Sequence, residues 1–173
     1  MRFGWINIFG AVIVMMMLIP NIIYALRNKG EQNNCTNHFM NVLEQLGRYA
    51  CIILMWLPFP IGKFGFASVY EMLLYFAANG VLLAVYWIVY ALYLKKKTQR
   101  RAFILAIVPT CIFLISGLLL RHWLLVFAAI LFGIGHIYVA RKNLEGIDIA
   151  HLGYCGVDCS ACNDFKEIGI AHV

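Results

Sequence analysis

Three of the six cysteines crowd together near the end of the chain: Cys155, Cys159 and Cys162, in the phrase Y-C-G-V-D-C-S-A-C-N-D-F. A C-x3-C-x2-C spacing brings three thiolates within reach of one ion. Such groups hold zinc or an iron–sulfur cluster. A closed zinc site takes four ligands, and His151, His172, Asp158 and Asp164 are the nearby candidates for the fourth. The other cysteines are different in setting. Cys51 and Cys111 sit in apolar runs, as packing residues do, and Cys35 stands alone in a polar stretch.

A second set of chemistry-bearing residues is defined by its surroundings. Glu71, Asn79, Arg121 and His136 interrupt otherwise apolar stretches. A carboxylate at the centre of a membrane helix costs roughly 2.5–3.5 kcal/mol, so such groups pair or face a cavity. Glu71 is expected about one turn from a helix end, at the depth of Arg121, where the two can pair. Its functional reading is a proton or cation site at the mouth of a bundle; its structural reading is an ion pair that fixes register. Tyr75, Asn79, Tyr86 and Tyr90 follow Glu71 at helical spacing, and the whole stripe is expected to face the bundle interior. His136 and Asn21, the latter just after Pro20, are placed at a similar depth, as partners in interhelical hydrogen bonds or as the lining of a small cavity.

The elements that position these residues follow from composition. The chain has 173 residues, of which 63% are hydrophobic and 13% charged. Soluble domains are about half apolar and about a quarter charged, so lipid is the solvent that fits. The fold class expected is all-α, a polytopic bundle of five membrane-spanning helices at residues 3–26, 43–62, 67–94, 102–120 and 123–140. A transmembrane domain 1–142 is then followed by a tail 143–173. The second segment is the shortest apolar run, ended by Pro58 and Pro60; within it Glu44 and Arg48 have the i, i+4 spacing of a helical ion pair. Thr36 or Asn37 is positioned to cap that helix. Ala129 with Gly133, and Gly80 with Ala84, have the small-xxx-small spacing of close helix contacts.

Positive charge sets the orientation. Five crossings put Arg2, Lys63 and Arg121 on one side. Arg27, Lys29, Arg48, Lys95, Lys96, Lys97, Arg100, Arg101, Arg141, Lys142 and Lys166 fall on the other. The richer side is cytosolic, so the N-terminus is expected outside and the C-terminus inside. Four crossings would divide the basic residues nine to five, a weaker separation, and still leave the tail inside. In the reducing cytosol a disulfide does not persist, which leaves metal ligation as the leading chemistry of the tail. The formal net charge of +6 is read as topology and as contacts of Lys95, Lys96, Lys97, Arg100 and Arg101 with anionic lipid. The charges form no aromatic-interleaved basic face for nucleic acid.

Two resemblances are carried by short phrases. Cys155, Gly156, Asp158, Cys159 and Cys162 resemble the C-G-x-D-C-x-x-C opening of a family of small cysteine-rich bacterial proteins, with Asn163 where that family has proline. The resemblance covers about a dozen residues and implies the metal-binding start of a domain. Radical-SAM enzymes share the cysteine spacing but need a large barrel around their cluster. The phrases Pro109-Thr110-Cys111-Ile112-Phe113 and Leu120-Arg121-His122-Trp123 resemble small bacterial integral membrane proteins of no known activity. That likeness implies the bacterial cytoplasmic membrane and adds no chemistry.

Function is read in three classes. The first expectation is a bundle scaffold or accessory component without its own chemistry, able to form homo-oligomers. The second is a small transporter or channel using the polar residues of the third span. The third is a metal- or redox-linked membrane protein using the tail. Catalysis ranks last because paired haem histidines, an H-E-x-x-H helix, a Ser/His dyad and a phosphate-binding glycine loop are all missing from the sequence.

Overall fold

The computed structural model describes residues 6–27, 35–57, 65–95 and 98–151, with backbone alone at 24, 25, 27 and 145–151. Five helices account for nearly all of them: α1 Ile8–Arg27, α2 His38–Trp56, α3 Val69–Lys95, α4 Gln99–Leu119 and α5 Trp123–His151. Three of these, α3, α4 and the Trp123–Leu144 part of α5, are long and apolar enough to cross a membrane. At 1.5 Å per residue even α4, with 21 residues, reaches about 32 Å, the thickness of a hydrocarbon core. The outward faces carry large apolar side chains such as Ile19, Leu73, Val81, Ile88, Phe127 and Ile134.

Local chemistry explains the helix ends. Asn37 caps α2, its Oδ1 accepting from Met40 N at 3.2 Å. Asn7 does the same for α1, accepting from Gly10 N, and its own N–H donates to Trp56 O at 2.9 Å. That bond ties the start of α1 to the end of α2. Helix α1 runs through Pro20. Proline offers no N–H, so the Met16 carbonyl four residues back is left over, and Trp87 Nε1 of α3 donates to it at 3.2 Å. Two helix ends therefore differ from the sequence expectation. Helix α2 starts at His38, behind its expected cap at Asn37, but stops at Trp56, short of residue 62. Helix α5 runs past Ala140 to His151, so the first part of the expected tail is helical. Arg141 and Lys142 mark where apolar sequence ends, but both are good helix formers and neither breaks the helix.

The α4–α5 turn is built on a left-handed residue. His122 N donates to Gly117 O at 2.8 Å and Arg121 N to Leu118 O at 3.1 Å, the two bonds of a Schellman motif. Its C′ position, commonly glycine, is held by Arg121 with φ 54°. A side chain in that conformation costs about 1 kcal/mol relative to glycine. Arg121→Gly is therefore expected to be more stable than Arg121→Ala by about 1 kcal/mol. Both lose the charge, so SDS-denaturation midpoints of the two variants isolate the backbone. Equal midpoints would show that the turn carries no such strain.

The helices run alternately up and down. They close a ring in the order α1, α2, α5, α4, α3 and back to α1, each packed on its neighbours. The α2–α5 contact is the most extensive. It depends on two glycines that face backbone. A Cβ on Gly47 would lie 2.7 Å from Phe132 Cα, and one on Gly135 would lie 2.8 Å from Glu44 N. Helices α4 and α5 meet where Gly133 faces Thr110 and Gly117 faces Val126. Ala129 is fully buried beside that contact. The Gly80 and Ala84 pair behaves differently: both are exposed, and a Cβ on Gly80 meets nothing within 4 Å, so this spacing mediates no contact inside the ring.

The alternation gives the bundle two distinct ends. One holds Asn7, Trp56, Glu71 and the Arg121 turn. The other holds Arg48, Lys95, Arg100, Arg101, Arg141 and Lys142 and is called the basic end here.

Candidate functional site: a charged cluster beside a cavity in the helix ring

Glu71 lies in the first turn of α3, at the rim of the bundle. Ser68 Oγ accepts from Glu71 N at 3.2 Å, and Glu71 Oε2 accepts from Ala67 N at 2.7 Å. This is a variant of the capping box, written in the sequence as S-V-Y-E, in which the glutamate reaches the N–H one residue before the capping serine. Arg121 Nη2 donates to Glu71 Oε1 at 3.2 Å across the helix ring. The two side chains are 28% and 47% exposed, so the pair is a rim contact of modest worth. The residues that follow Glu71 turn inward without it. Tyr75, Asn79, Leu83, Tyr86, Tyr90 and Tyr93 are all buried and form one seam along α3. Asn79 Nδ2 donates to Tyr75 O at 2.9 Å, and Ser116 Oγ of α4 donates to Asn79 Oδ1 at 3.1 Å. Sequence reasoning placed Glu71 on that seam; its capping bonds hold it off.

Among the described residues the carboxylate buried in the bundle is Glu44, on α2, 3% exposed. Its Oε1 accepts from Arg48 one turn on, and lies 3.0 Å from Nδ1 of His136 on α5. Its Oε2 accepts from Gln45 Nε2 at 3.3 Å. The His136 ring stacks on Phe132, one turn earlier, with centroids 4.8 Å apart and planes 18° from parallel. Gly135 makes this possible. With no side chain there, the α5 backbone comes close enough to α2 for the next residue to reach the carboxylate.

The sequence marked His136 as a costly polar residue and Glu44–Arg48 as a helical pair, but did not join them. The available signal was depth. Both lie near the same end of the bundle once α2 runs opposite to α5.

Beside this cluster the ring lines a partly open cavity of about 390 Å³. All five helices contribute to its wall. Arg48, His136, Asn21, Tyr86, Tyr90 and Tyr93 supply the polar part; Ile52, Pro109, Phe113 and Phe132 are among the apolar residues. Tyr86 donates to Asn21 Oδ1 at 2.8 Å, linking α3 to α1 across one side. Glu44 is not part of the wall; it stands behind Arg48 and His136 and holds both. The volume lies within the range of ligand pockets, about 300–1,000 Å³.

Cys155, Cys159 and Cys162 lie outside the described residues, and of His151 only the backbone is described. Lys96 and Lys97 also lie outside them. Among the described residues no group of three His, Cys, Asp or Glu side chains is placed to hold a metal ion. Lys95, Arg100 and Arg101 lie at the basic end, where Arg101 Nη1 donates to Leu92 O at 2.8 Å and joins α3 to α4.

Comparison of the chain with protein-family models, with curated proteins and with solved structures gives no match.

Proposed function

We propose that this chain is a five-crossing membrane protein that binds a small solute inside its helix ring, as a small transporter does. The observation that supports this most is the cavity walled by all five helices, with an ion-paired arginine and a histidine at its edge. A ring with no cargo gains nothing from leaving such a cleft, because the side chains that line it forgo packing contacts. The polar seam of α3 favours the same reading, since Tyr75 and Asn79 continue from Tyr86 toward the opposite end. In this reading the basic end faces the cytosol of a bacterial cell, the N-terminus is outside, and the C-terminus is inside.

A scaffold or accessory role is the second reading. It is favoured by the way Asn79 and Ser116 satisfy each other, and Glu71 its own helix cap.

Cysteine accessibility separates the two. In a background free of native cysteines, Ala106→Cys faces the interior beside the cavity and Ile104→Cys faces outward. A membrane-impermeant thiosulfonate is expected to label Ala106→Cys at least tenfold faster than Ile104→Cys. Equal, slow labelling of both would leave the scaffold reading. In the same background, Arg121→Cys should label only from outside intact cells and Arg100→Cys only after lysis. The reverse pattern would invert the orientation.

A further inference from the structure

The charges on the cavity wall specify the kind of solute. We infer that the cavity takes a free monocarboxylate with an apolar body, its carboxylate on Arg48. This rests on the solute-binding reading above and adds the substrate class.

Among the described residues the wall carries one permanently charged side chain, Arg48, one ionisable base, His136, and no carboxylate. The nearest carboxylate, Glu44, faces Arg48, His136 and Gln45 from behind the wall. A cationic solute would therefore meet positive and neutral groups only. An anion would meet a guanidinium whose Nη2 is committed to Glu44 while its other N–H groups remain for a ligand. Among the described residues Glu44 is the only partner recorded for that guanidinium. The planar guanidinium suits a carboxylate, which it can bind through two parallel N–H donors.

The rest of the wall fixes the solute's body and its charge. Ile52, Pro109, Phe113 and Phe132 offer no hydrogen bond, so the solute's larger part must be apolar. Arg48 already shares its charge with Glu44, so the wall can accept one negative charge at most. A dianion such as a phosphate monoester would bring a second charge out of water without a partner. Glu44 has a positioning role here. It holds Arg48 in place, so the arginine loses less freedom when the solute binds.

The test uses three probes with one skeleton and different heads: 4-phenylbutyrate, 4-phenylbutan-1-ol and 4-phenylbutylamine. Each is titrated calorimetrically into the full chain in phosphatidylcholine nanodiscs, with empty discs as the baseline for partitioning. The carboxylate is expected to bind at least tenfold more tightly than the alcohol or the amine. Arg48→Gln should bring it to the level of the alcohol and leave the alcohol unchanged. Leu105→Trp, which fills the cavity, should remove saturable binding of all three. If Arg48→Gln does not fold, the ranking of the three probes on the native chain decides.

Binding of the alcohol or amine as tight as that of the carboxylate overturns the anion assignment but leaves a solute cavity. Absence of binding by all three overturns the cavity reading as well. A final arm uses discs containing phosphatidylglycerol. Loss of 4-phenylbutyrate binding there would overturn the free carboxylate in favour of an anionic lipid headgroup.

Discussion

Glu44→Ala is expected to destabilise the bundle by roughly 3–5 kcal/mol, the range for removing one partner of a buried charge pair. The carboxylate side chain is 4% exposed and joins two helices, since it holds Arg48 on its own helix and His136 on α5. Removing it leaves the imidazole facing a void and frees a guanidinium that lines an apolar wall. The loss should be shared with His136. In a double-mutant cycle Glu44→Ala and His136→Ala should couple by at least about 1 kcal/mol, because the two residues touch. Unfolding is followed by SDS titration in mixed micelles. Additive effects would show that the contact between α2 and α5 contributes nothing at this point. Arg48 is 40% exposed, so Arg48→Ala should cost less than Glu44→Ala.

Gly135→Ala and Gly47→Ala should each cost roughly 2 kcal/mol, whereas Gly80→Ala should stabilise by up to about 1 kcal/mol. All three changes add the same methyl group to a helix, and alanine is the better helix former. What differs is the neighbour. At Gly135 the new atom would sit 2.8 Å from Glu44 N, and at Gly47 2.7 Å from Phe132 Cα; both are backbone atoms that cannot swing aside. At Gly80 it meets nothing within 4 Å, so only the propensity gain remains. Moving α5 off α2 also draws His136 away from Glu44, so Gly135→Ala should weaken the ion-paired cluster too. A stability of Gly135→Ala equal to that of the native chain would contradict the close crossing of α2 and α5. A loss at Gly80 would place that face against a second copy of the chain.

Hydropathy alone was enough to determine that this chain is built of helices, because lipid-sized apolar runs leave the backbone no other way to satisfy its N–H and C=O groups. Helices α3, α4 and α5 were legible for that reason, as were the cap at Asn37 and the tight turn at Arg121 and His122. Basic residues at one end were legible too, since alternation of helix direction follows from short connections. The C-terminal ends of α2 and α5 were not, because an apolar run marks what prefers lipid and a helix continues until its backbone is broken.

Tertiary structure decided which polar groups meet. Glu71 reads in sequence as a costly intramembrane carboxylate, yet a neighbouring serine draws it into a helix cap at the rim. Glu44 reads as an ordinary helical partner of Arg48, yet it is the carboxylate the bundle buries. The difference lies in which neighbour each helix receives, and that was settled by two glycines. Their missing side chains let α5 press its backbone against α2 and bring a histidine 92 residues away onto the same carboxylate oxygen as Arg48. Close packing of this kind depends on the fit of two surfaces, and neither surface is written in its own stretch of sequence.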